Sequence, residues 1–416
     1  MNFDFIPFLS LLENIVDNRG KTCPTSEVGI PLIATNCVLN THLYPVFDRI
    51  RYVDNETYDT WFRDHPKPGD ILFVTKGTPG RTCWVPDPVN FCIAQDMLAI
   101  RANKELIYPK YLFALLRSST VQKMIENLHV GTLIPHFKKS DFDKLLLPIP
   151  SDYKFQEKVG DLYFDICDKI ELNRQINTTL EGIDLAIFQE WFVNFHFPGA
   201  TGEMENSELG SIPKGWKVSI FEDELEADRG LSYKGFGLES GNAMPMHNLN
   251  SIYEGGGYKY DGIKYYSGEY KDRHVVKPGD LIVANTEQGH KYLLIGYPAI
   301  VPSLFGDTGI FSHHIYRLRA KQSSYLTSDY LYYLLLQPLT REQIIGFANG
   351  TTVNMLKIGG LQRPKFVLPP RELVAKFSEL AVNTRLKQEE NIKESQILSE
   401  LRDTFIPKLM SGELVL

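Results

Sequence analysis

From Val159 the chain places an apolar or small polar residue at every third or fourth position: Val159, Tyr163, Ile166, Ile170, Asn173, Asn177, Leu180 and Ile187. The series recurs 218 residues later at Phe377, Ala381, Thr384, Gln388, Asn391, Ser395, Leu398 and Phe405. A spacing near 3.5 predicts two amphipathic helices of about thirty to forty residues. Each seam carries too many polar residues for a stable isolated helix. Pairing the two as a coiled coil buries both seams, and with a lobe at each end the pair runs antiparallel. Asn173, Asn177 and Asn391 then set register at some loss of stability. The plainer alternative is two separate helices, each packed on its own lobe.

The segments before these helices read as mixed α/β. DILFVT (Asp70–Thr75) is a β-rich run after a Pro-Gly turn, and Phe91–Ala102 continues as strand. Pro109–Leu128 has apolar residues at helical spacing and reads as one helix. The later segment copies this order with DLIVAN (Asp280–Asn285), a strand over Phe311–Ala320, and a helix over Ser328–Phe347 that Pro338 kinks or breaks. Phe197–Trp216, rich in Gly, Pro and acidic residues, reads as a linker.

The copying extends to short motifs. Arg19-Gly20 returns as Arg229-Gly230 and Lys67–Asp70 (KPGD) as Lys277–Asp280, both 210 residues on. The stretch Gly131–Pro150 returns as Gly350–Pro370, now 219 residues on. Such a period is too long for a solenoid. The fold class is therefore α+β: two duplicated mixed α/β domains separated by two long helices forming an antiparallel coiled coil. The expected boundaries are 1–151 for the first lobe, 152–196 for the central helical region, 197–371 for linker and second lobe, and 372–416 for the C-terminal helical region.

Composition narrows the function classes. No run of 18 apolar residues exists, so no helix spans a membrane. The first twenty residues have no basic start and no small-residue cleavage site, which argues against a secretory signal. Five cysteines without CxxC fit reduced thiols in a cytoplasmic protein better than zinc or disulfides. The net charge of −7 lies in the helical regions: residues 152–196 carry −5 and 372–416 carry −2, while each lobe is neutral. A neutral lobe can still present one basic face, although much phosphate affinity is electrostatic.

Enzyme motifs are missing. There is no GxxxxGK[ST], HExxH or GxSxG. Gly255–Gly257 reads as a turn, and Leu368–Arg371 (LPPR) lacks the Asn or Asp that would hold a target amine. His313 and His314, adjacent on an expected strand, point to opposite faces and do not share a metal. What the lobes do carry is matched loops after the KPGD strand: Lys76, Gly77, Thr78 and Arg81 in the first, Glu287, Gln288, His290 and Lys291 in the second. Arg, Lys, Gln and Glu are base-reading side chains. A shared frame with different reading residues suits two half-sites, and the bland alternative is a pair of surface turns. A second matched set is Gly131, Thr132, Lys138 and Lys139 against Gly350, Thr351 and Lys357, suited to phosphate or to a helix cap and solvated turn. Asn36 and Asn248 also match, as adenine readers or as turn residues.

Together the doubled lobe–helix order, the two KPGD-strand-Gly loops, WFVNFHFP (Trp191–Pro198) running into LGSIPKGWKV (Leu209–Val218), and IPKLMSGEL (Ile406–Leu414) resemble the type I restriction-modification specificity subunits. The resemblance covers essentially the whole chain. It implies two target-recognition domains, each reading one half of a bipartite site in double-stranded DNA, with helices that fix the spacer and dock two modification (methyltransferase) subunits. Those partners would bind S-adenosylmethionine and methylate adenine, and restriction/translocase subunits would join to cut unmodified DNA. The chain itself would be non-catalytic and need no cofactor. The competing readings are a bivalent adaptor or orphan DNA reader in another defence system, and a self-contained methyltransferase.

Overall fold

The computed structural model describes residues 2–17, 21–128, 134–239, 241, 243–288, 291–350 and 353–414, with the backbone alone for Phe236, Gln288 and Asn349. The chain forms two compact units. The first joins Met1–Gln175 to Glu394–Leu416, and the second is Ile176–Lys393.

The first unit is built on a four-stranded antiparallel sheet in the order Leu12–Asp17, Met97–Ala102, Ile71–Val74, Thr82–Trp84. Ile71–Val74 is buried at every position, as a central strand covered on both faces should be. It starts from the KPGD turn, where Pro68 and a Gly69 with φ of 86° let the Asp70 N–H reach the Lys67 carbonyl at 3.0 Å. In a smaller sheet, Ile30–Ile33 lies between antiparallel Arg51–Val53 and parallel Cys92–Ile93. Phe3–Pro7 pairs with Leu146–Pro150.

The second unit repeats this topology. Its main sheet runs Leu225–Arg229, Ile315–Ala320, Leu281–Ala284, Pro298–Ile300. Met244–His247 lies between antiparallel Lys264–Tyr266 and parallel Gly309–Phe311. Lys217–Ile220 pairs with Lys365–Leu368. The same order and sense in both sheets make the duplication structural as well as textual.

Several sequence expectations need correction. Phe91–Ala102 is two strands, Cys92–Ile93 and Met97–Ala102, because Asp96 turns the chain with φ of 71°. Likewise Ile315–Ala320 is separate from Gly309–Phe311, and Ser312–His314 lie between them. His313 and His314 are thus not on opposite strand faces, and their ring centroids are 3.9 Å apart. The expected helix Pro109–Leu128 breaks into Pro109–Arg117 and Ser119–Asn127. Ser118 is extended there, and its Oγ accepts the Val121 N–H at 3.3 Å, a capping bond that competes with helix continuation. Pro338 does break its helix, into Ser328–Leu336 and Pro338–Gly346. The stretch read as a linker contains a hairpin, Met204–Ser207 with Gly210–Pro213, and buries Ile212 and Trp216.

The long helices span Tyr153–Phe188 and Arg371–Glu400, each followed by a π-helical turn, Gln189–Val193 and Leu401–Phe405. In the first unit Val159, Tyr163, Ile166 and Ile170 share one core with Ile406, Leu409 and Met410. Gly160 permits close approach to the neighbouring helix, since a Cβ there would stand 2.6 Å from the Tyr111 amide nitrogen. The pairing is antiparallel within each unit. In the first, Tyr163 lies beside Arg402 and Ile406, while Asn173 donates to Glu394 Oε2 at 2.8 Å. In the second, Asn391 donates to Asn177 Oδ1 at 2.8 Å and Thr384 to Asp184 Oδ1 at 3.3 Å. The expected seam slips at its ends. Asp184 and Phe188 are more buried than Leu180 and Ile187, and Phe405 is exposed while Arg402 and Ile406 are buried. In the C-terminal helix the extra residue of the π-turn Leu401–Phe405 moves burial from Phe405 to Ile406, whereas the drift to Asp184 and Phe188 precedes its π-turn and follows the 3.6-residue helical period. Among the described residues no helix is long and apolar enough to cross a membrane, and the five cysteines are buried and unpaired.

Candidate nucleic-acid interface

The KPGD aspartate anchors each lobe's presenting strand. Asp70 accepts the Lys67 N–H at 2.8 Å and a two-point contact from Arg101. Asp280 repeats this with the Lys277 N–H at 2.9 Å and Arg319 at 3.1 and 2.7 Å. Bidentate pairs of this kind fix geometry as well as charge. The clamp therefore holds the start of the strand whose far end carries the candidate loop.

At that far end the two candidate sets of each lobe come together. The Phe137 N–H donates to the Thr75 carbonyl at 2.8 Å, and the Gly77 N–H to Pro135 at 2.9 Å. In the second lobe the Leu356 N–H donates to the Asn285 carbonyl, also at 2.8 Å, and Thr286–Gln288 pairs with Val353–Leu356. The strand-end loop and the segment leading to Lys138 or Lys357 thus form one surface per lobe, although they lie about sixty to seventy residues apart in the chain.

A third segment lies against the same place. The Thr75 N–H donates to Asp96 at 2.9 Å, and the Asn285 N–H to His314 at 3.1 Å. Lys76 Nζ is 3.9 Å from Asp96 Oδ1. Thr286 Oγ1 is 3.1 Å from His314 Nδ1. Burial, with lesser contributions from His313 and Lys264, lowers the His314 pKa below its usual value. Gly230 explains the second Arg-Gly landmark: a Cβ there would lie 2.1 Å from the Ser312 carbonyl oxygen, so only glycine lets the chain pass this turn.

The candidate side chains divide into available and occupied. Thr78, Lys138, Lys291 and Lys357 are exposed, and Arg81 is half-buried. Gly77 has φ of 83° and open space around it. Lys139 pairs loosely with Asp17 at 3.6 Å. Asn36, exposed, donates to the Asp48 carbonyl at 2.8 Å. Asn248 is buried and spent on its own turn. Its amide donates to Gly262 at 2.7 Å while Oδ1 accepts the Asn250 N–H at 2.9 Å, so the adenine-reading expectation is corrected to a turn-forming one. Glu287 is corrected likewise: its carboxylate is buried and accepts the N–H groups of Leu293, Leu294 and Ile295 at 2.9 to 3.0 Å. Gly350 is required by its own hairpin, since a Cβ would meet the Val353 oxygen at 2.0 Å. Gln288 contributes backbone to a strand. Gly131, Thr132, His290 and Thr351 lie outside the described residues. Among the described residues no group of three His, Cys, Asp or Glu side chains is placed to hold a metal ion.

The family model described as type I restriction modification DNA specificity domain matches residues 18–182. The type I restriction enzyme MjaIX specificity subunit of Methanocaldococcus jannaschii is 28% identical over 97% of this chain and 92% of its own length. Residues 18–182 thus carry the match to the specificity-domain family, and the chain as a whole is similar to type I restriction enzyme specificity subunits. A second relative, the HindI specificity subunit of Haemophilus influenzae, is 26% identical over 84% of this chain and 87% of its own length. The solved S subunit from M. genitalium has the same fold, with a TM-score of 0.56 at 14% identity over 98% of this chain and 96% of that one.

Proposed function

We propose that the chain is the sequence-specific DNA-recognition subunit of a type I restriction-modification complex, with each lobe reading one half of a bipartite site. One observation carries this. Equivalent backbone bonds, Phe137 to Thr75 and Leu356 to Asn285, build the same surface in both lobes, yet the side chains around it differ. The first lobe offers Lys76, Thr78, Arg81 and Lys138, and the second offers Lys291 and Lys357. A common frame with different donors and acceptors is what two different half-sites require. Lys138, Lys139 and Lys357 are assigned to phosphates, and Lys76 and Arg81 to base edges.

The long helices are assigned two further tasks: setting the spacer between half-sites, and docking two methyltransferase subunits that bind S-adenosylmethionine. Restriction/translocase subunits complete the complex. The chain supplies recognition and its partners supply the chemistry. The test is the pattern of methylated adenines in cells that express the chain with its cognate partners. A bipartite motif is expected, whose halves change separately when residues 1–150 or 208–370 are exchanged for those of a relative. A continuous motif, or one unmoved by exchange, would refute the reading.

A further inference from the structure

The turns Ala94–Asp96 and Ser312–His314 belong to none of the candidate sets, yet they occupy equivalent places. Each lies between the short parallel strand and the main-sheet strand of its lobe. Each gives its last carbonyl to the residue that begins the strand-end loop, Asp96 to Thr75 and His314 to Asn285. The second is fixed from several sides. The Ser312 N–H donates to His247 at 2.9 Å, the His313 N–H to Leu231 at 3.0 Å, and Asn285 Nδ2 to the His313 carbonyl at 3.0 Å. The backbone is thus held rigidly while the side chains differ completely between copies, Gln95 and Asp96 against His313 and His314. His313 is exposed and Gln95 is half-buried.

The chemistry of these side chains suits base edges. Gln95 carries a donor and an acceptor on one planar amide, the pair that matches adenine N7 and N6. In His313, Nδ1 faces the Leu231 carbonyl at 3.4 Å, and in His314 Nδ1 faces Thr286 Oγ1. In both rings Nε2 is then the remaining hydrogen-bonding atom. Asp96 Oδ1 lies 3.9 Å from Lys76 Nζ, a loose pair across the partly exposed surface.

We infer that these turns are a third base-reading element of the DNA surface, acting through Gln95 in the first lobe and His313 in the second. This rests on the proposed function and adds to it the residues that set base preference. It also separates them from the exposed lysines, which contribute affinity without discrimination.

The experiment uses the full chain assembled with its methyltransferase partners. Binding is measured against duplex libraries randomised in one half-site, after lobe exchange has assigned each half to a lobe. His313→Ala should lower discrimination at one or two positions of the second lobe's half by roughly 5- to 100-fold, leaving the first half unchanged. Gln95→Ala should do the converse. His313→Gln and Gln95→His, which keep a polar side chain, should alter the preferred base rather than erase preference, and they serve if either alanine variant fails to assemble. Unchanged preferences, or a uniform loss across all sequences, would overturn the inference. If lobe exchange itself moves neither half, the underlying functional reading fails. If exchange works and these variants change nothing, only the role of the turns does.

Discussion

The Asp70 carboxylate grips the Arg101 guanidinium at two points, Oδ1 to Nε at 2.8 Å and Oδ2 to Nη2 at 2.9 Å. The counterpart, Asp280 with Arg319, has the same geometry but more solvent: Arg319 is 42% exposed and Arg101 19%. Removing one partner of a buried pair leaves an unpaired charge, whereas an exposed partner is rescued by water. Asp70→Ala should therefore destabilise the first unit by about 3 kcal/mol, and Asp280→Ala the second by about 1 kcal/mol. Denaturant unfolding with hydrogen exchange to localise the loss checks this, and an equal or reversed ranking contradicts it.

Glu287 organises the loop after its strand through three backbone N–H groups. Glu287→Gln weakens the carboxylate's charge-assisted bonds and should cost about 2 kcal/mol of local stability. The expected readout is faster amide exchange at Leu293, Leu294 and Ile295. Unchanged exchange together with an altered base preference would mean that Glu287 reads DNA after all.

Lys138 is exposed next to the first lobe's surface and is assigned to phosphate. Lys138→Ala should weaken binding to all sequences and reduce the slope of log K against log salt by about 1. Lys76→Ala or Arg81→Ala should instead hurt only the half-site of the first lobe. A sequence-dependent loss from Lys138→Ala would reverse its assignment.

His247 sets a pH dependence. It is buried with Nδ1 2.7 Å from the Tyr258 hydroxyl, and burial lowers its pKa to about 4. The unfolded imidazole titrates near 6.5, so between those values the unfolded state binds the proton and the folded state does not. Stability from this group is complete above pH 6.5 and declines as pH falls toward 4, by about 3 kcal/mol. His42 in the first unit, also lowered to about 4 and chiefly by burial, acts with the same sign. Unfolding of wild type and His247→Gln at pH 7.5 and 5.0 tests this. The second unit of the variant should lose less stability on acidification.

Much of the scaffold was legible in the sequence because it depends on short-range rules. The seam from Val159 to Asn173 is buried as its spacing requires, and both KPGD turns are formed by their own four residues. What escaped notice depends on contacts distant in the chain. Nothing near His313 announces that Gly230 and His247 bend the chain there. Nor does the character of Glu287 or Asn248 reveal that the amides of a later loop, or the Gly262 carbonyl, occupy them. Polar residues at loop positions look alike in sequence whether they serve a ligand or the loop itself. Ser118 was hidden for the opposite reason: its local capping bond outweighed a helical period that continues on both sides.

The core of the first unit has a consequence for how the chain is made. Ile406, Leu409 and Met410 share that core with Phe8, Tyr111 and Ile170, more than two hundred residues earlier. At ribosomal rates that interval lasts roughly ten to fifty seconds. Throughout it, the first lobe emerges with part of its interior uncovered, and the second lobe is synthesised before the first can close. Residues synthesised after the second lobe thus complete the core of the first.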